Sequence, residues 1–139
     1  MVATKLQELN KQHALQTINS FLDEFKKCCN QKQQANPSHF ENFLDRNFQN
    51  ICNGKIIGKT SQDFLKRIQD LQKKYSRIEF EHLRDCLISG DKAIIEYDSN
   101  QTLQNGEKAV FHIIAIATFT DDRLTHWSQV SHDKHRHHA

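Results

Sequence analysis

The chain is poor in residues that punctuate a fold. It has one proline and four glycines in 139 residues, so turns are few and the elements between them are long. Its four cysteines form no CxxC pair and have no histidine at zinc-finger spacing. Cys28, Cys29, Cys52 and Cys86 therefore read as free, buried thiols in a reducing compartment, not as a disulfide or metal framework. No apolar run nears the ~20 residues that span a bilayer. The opening stretch MVATKLQELNKQHALQ lacks the apolar segment of a secretion signal. The net charge is only +2 and no basic stripe is present, which argues against a nucleic-acid partner. These absences lead us to expect a soluble, cytoplasmic protein with one domain over residues 1–133. A His-rich flexible tail at 134–139 would follow. Its histidines, with His132, could catch a transition metal but read better as a solvated terminus, so no metal site is expected, and no cofactor is expected either.

Apolar spacing supplies the elements. Leu15, Ile18, Phe21, Leu22, Phe25 and Cys29 recur at helical intervals. Ser38 can cap a second helix over HFENFLDRN, with Glu41 as the reciprocal partner and Phe40, Phe43 and Leu44 facing inward. After Ser61, Phe64, Leu65, Ile68 and Leu71 mark a third helix. The rest reads as strands. FQNICNGKIIGKT is a short strand with a glycine turn. RIEFEHLRDCLI, KAIIEYDSNQTL, KAVFHIIAIATF and LTHWSQVSHD follow, separated by SGD, QNGE and TDDR. Asn105-Gly106 is a strong hairpin signal. Helices followed by a meander give an α+β order, and a curved sheet over helices would enclose a cavity.

This order, with FLDRNFQN, GKTSQDFLKRI, SGDKAIIEY and DDRLTHWSQV as its carriers, resembles the nuclear-transport-factor-2-like superfamily. Within it, the SnoaL-like and ketosteroid-isomerase-like branch is the nearer likeness. The resemblance covers roughly Leu15 to Asp133. It implies an α+β cone: a curved antiparallel sheet wrapped around three N-terminal helices, with an internal, mostly apolar pocket. It also implies a small apolar ligand and a homodimer formed through the outer sheet face, where Ile114 and Ile116 would be exposed. Members include isomerases, cyclases, dehydratases and epoxide hydrolases, and others that bind without catalysis. The fold therefore does not decide between a cofactor-free acid–base enzyme and a non-catalytic ligand-binding or protein-interaction module.

The isomerase chemistry of that branch does not carry over. Its base corresponds to Asn50 or Ile51, its tyrosine donor to Phe21 and its acidic donor to Ala115, and none of these can play the part. Only the pocket tryptophan, Trp127, is retained. Phe21, Phe25, Ile113, Ala115, Trp127 and Gln129 are the expected pocket-lining residues. Trp127 shares a strand face with Gln129, Ser131 and Asp133. Replacement acid–base groups would be His82, Glu96, Asp98 and Asp133. A two-residue turn at Asn105-Gly106 would pair Glu96 with Ala115 and Asp98 with Ile113, aiming both carboxylates inward. In the competing register Ile95 and Tyr97 face inward and the carboxylates face solvent.

Overall fold

A computed structural model describes residues 9–32 and 34–134. The terminal histidines at 135, 137 and 138 lie outside that range, as does most of the expected tail.

The first helix, α1, runs Lys11–Gln31, longer at both ends than its apolar stripe. Asn10 caps it by accepting the His13 N–H at 3.0 Å, an amide cap that precedes the first apolar residue and extends the helix beyond the stripe. The expected second helix does not form. Pro37–His39 makes one 3-10 turn, and strand β1, Leu44–Cys52, begins where that helix would have continued. Asn36, not Ser38, is the cap. Asn42, Asp45 and Asn47 are poor helix formers, while Phe48 and Asn50 alternate inward as strand residues. Strand pairing outweighs a weak local preference.

Asn53-Gly54, both at positive φ, turns β1 into β2, Lys55–Gly58. Helix α2 covers Ser61–Lys74. Its cap is Thr60, which accepts the Asp63 N–H at 3.2 Å, while the Asp63 carboxylate accepts from Lys59 N–H at 2.9 Å. The remaining strands are β3 Tyr75–Glu79, β4 Leu87–Ser89, β5 Lys92–Leu103, β6 Lys108–Thr120 and β7 Arg123–Asp133.

The sheet order is β2-β1-β7-β6-β5-β3, with β4 on β5. All pairs are antiparallel except β1 with β7, which is parallel. The sheet is therefore mixed, where the sequence suggested an antiparallel one. β1 closes the barrel-like curl by lying beside the last strand, a long-range pairing that local patterning does not encode. Register shifts within the β1–β2, β3–β5 and β6–β7 pairs bend the strands. The concave face wraps α1 and α2, and one continuous core lies between them, centred on Phe21, Phe40, Phe48, Phe64 and Trp127.

The hairpin at Asn105-Gly106 departs from the two-residue reading. Gly106 alone has positive φ, and its N–H reaches Leu103 C=O at 3.0 Å. The Leu103 N–H in turn donates to Glu107 C=O at 2.8 Å. This is a three-residue loop with glycine in the left-handed position. The extra residue moves the register by one: Ile95 pairs with Ala115, Tyr97 with Ile113 and Asp98 with His112. The pairing of Glu96 with Ala115 is thus corrected, and both carboxylates take the convex face.

The expected long strand RIEFEHLRDCLI is also interrupted. Residues 80–86 are irregular between β3 and β4. Their backbone finds a side-chain partner instead of a strand. Asn19 on α1 accepts from Leu83 N–H and donates to Leu83 C=O, both at 2.9 Å. Asn30 does the same to Ile78 on the open edge of β3, both at 2.7 Å.

Candidate functional site

A cavity of about 110 Å³ lies between the helices and the concave sheet face. Phe21 and Phe25 from α1 and Phe64 from α2 form its helical side. Asn50, Ser99, Gln101, Ile113, Trp127 and Gln129 form its sheet side, because these positions alternate inward. Ala115 is fully buried on the same face but does not border the cavity.

Trp127 is both core and wall. Its ring meets Phe21 at 5.3 Å between centroids. Its indole N–H donates to Gln129 Oε1 at 2.9 Å, and the Gln129 amide nitrogen approaches Cys52 Sγ at 3.9 Å. The chain of donors from Trp127 is thereby closed within the protein.

Gln101 is different. Its Nε2 donates to Ser99 Oγ at 3.3 Å, but its Oε1 is buried with no hydrogen-bond partner among the described residues. A buried acceptor left unpaired costs roughly 1–3 kcal/mol, so native folds keep one only where something else offsets that cost. Tyr97 also borders the cavity, and burial raises its phenol above the ordinary range. Arg67, exposed on α2, is the one charged side chain that the described residues place on the lining. Among the described residues, no carboxylate and no histidine borders the cavity.

The four candidate acid–base residues lie elsewhere. His82 is exposed on the irregular segment 80–86. Glu96 and Asp98 share an open outer groove with His82, Arg84 and His112. Asp133 ends β7 opposite Phe111, on the concave face but beyond the cavity lining. The structure thus brings three of the four together, outside the cavity. His112 is clamped there by two carboxylates, Nε2 to Glu96 Oε1 at 2.8 Å and Nδ1 to Asp98 Oδ1 at 2.7 Å. Lys134 adds a second cation to Asp98 at 3.0 Å. Hydrogen bonding to Asp98 leads the rise of the His112 pKa above 6.5, and the hydrogen bond to His112 leads the fall of the Asp98 pKa below 3.8.

The signs define a window. The raised histidine contributes stability below pH 6.5 and loses it as pH rises through its folded-state value. The lowered aspartate contributes above pH 3.8 and loses it as pH falls through its own. His112→Gln should therefore cost most between these limits and nothing well above them. The loss should stay below about 1 kcal/mol, because the network is solvent-screened. Urea titrations at pH 5 and pH 9 would measure the difference, and equal losses at both would exclude this origin.

Sequence reasoning passed over Ser99 and Gln101. The signal was present: they continue the face of Ile95 and Tyr97, the competing register.

The architecture matches solved structures throughout. A SnoaL-like polyketide cyclase candidate from Jannaschia sp. CCS1 superposes with a TM-score of 0.70 at 10% identity, over 96% of this chain and 91% of that one. An NTF2-like protein from Burkholderia xenovorans LB400 gives 0.68 at 8%, over 88% and 92%. An LEH-like epoxide hydrolase from M. tuberculosis gives 0.67 at 11%, over 88% and 84%. No family model matches the sequence, and no curated protein matches it. At these identities the likeness is one of fold: the chain has the NTF2-like α+β cone, with two helices and a 3-10 turn where three helices were expected. No helix among the described residues is long and apolar enough to cross a membrane.

Proposed function

We propose that this chain is a small-molecule-binding protein of the SnoaL-like type, and that its cavity holds an uncharged, ring-sized ligand with one hydrogen-bond donor. The unpaired Oε1 of Gln101 carries the reading. A small rotation of the amide would aim it at a donor on a ligand seated among Phe21, Phe64 and Trp127. At about 110 Å³ the cavity is smaller than the ~150 Å³ that admits benzene, so a single ring is the largest ligand it would take, and only with its walls moved outward. Binding without catalysis is the better reading because the described lining holds amides, hydroxyls, aromatic rings, the Cys52 thiol and the Arg67 guanidinium but no carboxylate or imidazole to move a proton. The rival reading is a cofactor-free isomerase, cyclase or hydrolase acting through His82, Glu96, Asp98 and Asp133. It would need acid–base groups outside the cavity, with His82 and Glu96 exposed and Asp98 and Asp133 only half-buried, where water exclusion does little to tune them.

The test is a matched pair of probes, phenol and anisole, titrated by calorimetry. Phenol can donate to Gln101 and anisole cannot. Phenol should bind about tenfold more tightly, the equivalent of about 1.4 kcal/mol. Gln101→Leu should abolish that preference while raising stability by about 1 kcal/mol, because the orphaned acceptor is gone. Equal affinity for both probes, or a preference that survives in the variant, would sink the proposal.

The convex face supports pairing of two copies. Ile114, Ile116 and Val130 stand side by side there at 42%, 39% and 55% exposure. Ile116→Lys should yield a monomer in analytical ultracentrifugation where the parent sediments as a dimer. A monomeric parent would remove this part of the proposal. Four free cysteines fit a reducing, cytoplasmic setting.

A further inference from the structure

At the far end of α1, away from any motif, three metal-ligating groups of different chemistry converge. Glu24 and Cys28 are four residues apart on the helix and so share one face. His39 reaches them from the 3-10 turn. Cys28 Sγ lies 3.5 Å from His39 Nδ1 and 4.0 Å from Glu24 Oε1. All three donor atoms fall within 4.8 Å of one another. Tetrahedral zinc, with bonds of ~2.0–2.3 Å, holds neighbouring ligand atoms roughly 3.3–3.8 Å apart. Small side-chain movements would bring this trio to that spacing.

The frame around it is fixed. Phe40, next to His39, is buried and packs its ring on Phe21 and Phe64. Asn36 caps the turn, accepting from Ser38 N–H at 2.9 Å. The carbonyl of Cys28 accepts from Gln72 Nε2 at 2.8 Å, tying this part of α1 to α2. Burial grades outward, with Cys28 at 0% exposure and Glu24 and His39 half-buried. An ion could therefore enter from solvent and rest on a sulfur set into the protein.

We propose that Glu24, Cys28 and His39 form a binding site for a single zinc-class divalent cation, with water in the fourth position. One thiolate, one imidazole and one carboxylate suit zinc and its neighbours better than magnesium or calcium, which favour all-oxygen sets. The two anionic ligands would neutralise the ion's charge. Cysteine spacing gave no hint of this site because its ligands meet through a turn, not through a CxxC pair.

Cobalt(II) is the probe, added to the full chain after chelator treatment. A thiolate ligand gives cobalt a near-ultraviolet sulfur-to-metal charge-transfer band that the terminal histidines cannot produce. The band should saturate at one cobalt per chain and be displaced by zinc. Cys28→Ser should abolish it, while Cys52→Ser should leave it intact. Glu24→Gln and His39→Gln, at half-buried positions, should retain the fold by circular dichroism and weaken cobalt binding at least tenfold. No band at millimolar cobalt, or a band that survives Cys28→Ser, would overturn the proposal.

Discussion

Phe64→Ala should lower the stability of the fold by about 3–5 kcal/mol, the range for truncating a buried aromatic ring. The ring is only 4% exposed and sits at the hub of the core. It meets Phe21 at 5.4 Å, Phe40 at 5.3 Å, Phe48 at 5.6 Å and Phe25 at 6.0 Å. The pairs with Phe40 and Phe48 are edge-to-face, at 84° and 85° between ring planes, and such pairs add ~0.5–1.5 kcal/mol each beyond area burial. Phe64 also joins every layer: α1 through Phe21 and Phe25, the 3-10 turn through Phe40 and β1 through Phe48. Collapse around the gap is hindered because the four neighbours are anchored on three separate parts of the fold. Against a total of roughly 5–15 kcal/mol for a domain, the urea midpoint should fall by about a fifth or more. Phe64→Leu should cost less than half as much. A loss under about 1.5 kcal/mol in the alanine variant would mean that the existing cavity absorbs the space, so that the ring is cavity wall and not a packing hub.

Period-2 and period-3.6 patterns located α1, α2 and the three longest strands, β5, β6 and β7, because burial on one face leaves its spacing in the chain. They failed where the deciding contact is distant or turns on one residue. HFENFLDRN has apolar residues at helical spacing, yet Leu44 pairs with Leu124 in β7, and nothing near residue 44 reports that partner. Asn105-Gly106 marked a hairpin correctly, but a two-residue loop and a three-residue loop share that dipeptide. The difference of one residue carries Glu96 and Asp98 from the concave to the convex face. The position of Trp127 could be read from its own strand. The polar half of the cavity could not, because Ser99 and Gln101 depend on that loop.

Asn19→Leu should cost about 2–4 kcal/mol although leucine is the more apolar residue. Asn19 is 7% exposed, and its amide satisfies both the N–H and the C=O of Leu83. Leu83 is itself buried in a segment that pairs with no strand among the described residues, so these two backbone groups have no ladder partner to replace the amide. A leucine at 19 would leave both dry and unpaired, at roughly 1–3 kcal/mol for each, offset in part by the apolar surface it buries. Asn30→Leu offers the contrast. Its bonds to Ile78 are shorter, but the site is only part-buried and water can replace the amide, so about 1 kcal/mol is expected. Hydrogen exchange separates the mechanisms: the Leu83 amide should lose protection in Asn19→Leu far beyond the global loss of stability. If it exchanges only as fast as the whole molecule unfolds, the clamp is not what holds residues 80–86. The consequence extends to the cavity, since Phe80 borders it and packs on Tyr97 at 5.7 Å. Releasing the segment should loosen the wall beside Gln101 and weaken phenol binding without touching any residue that contacts the ligand.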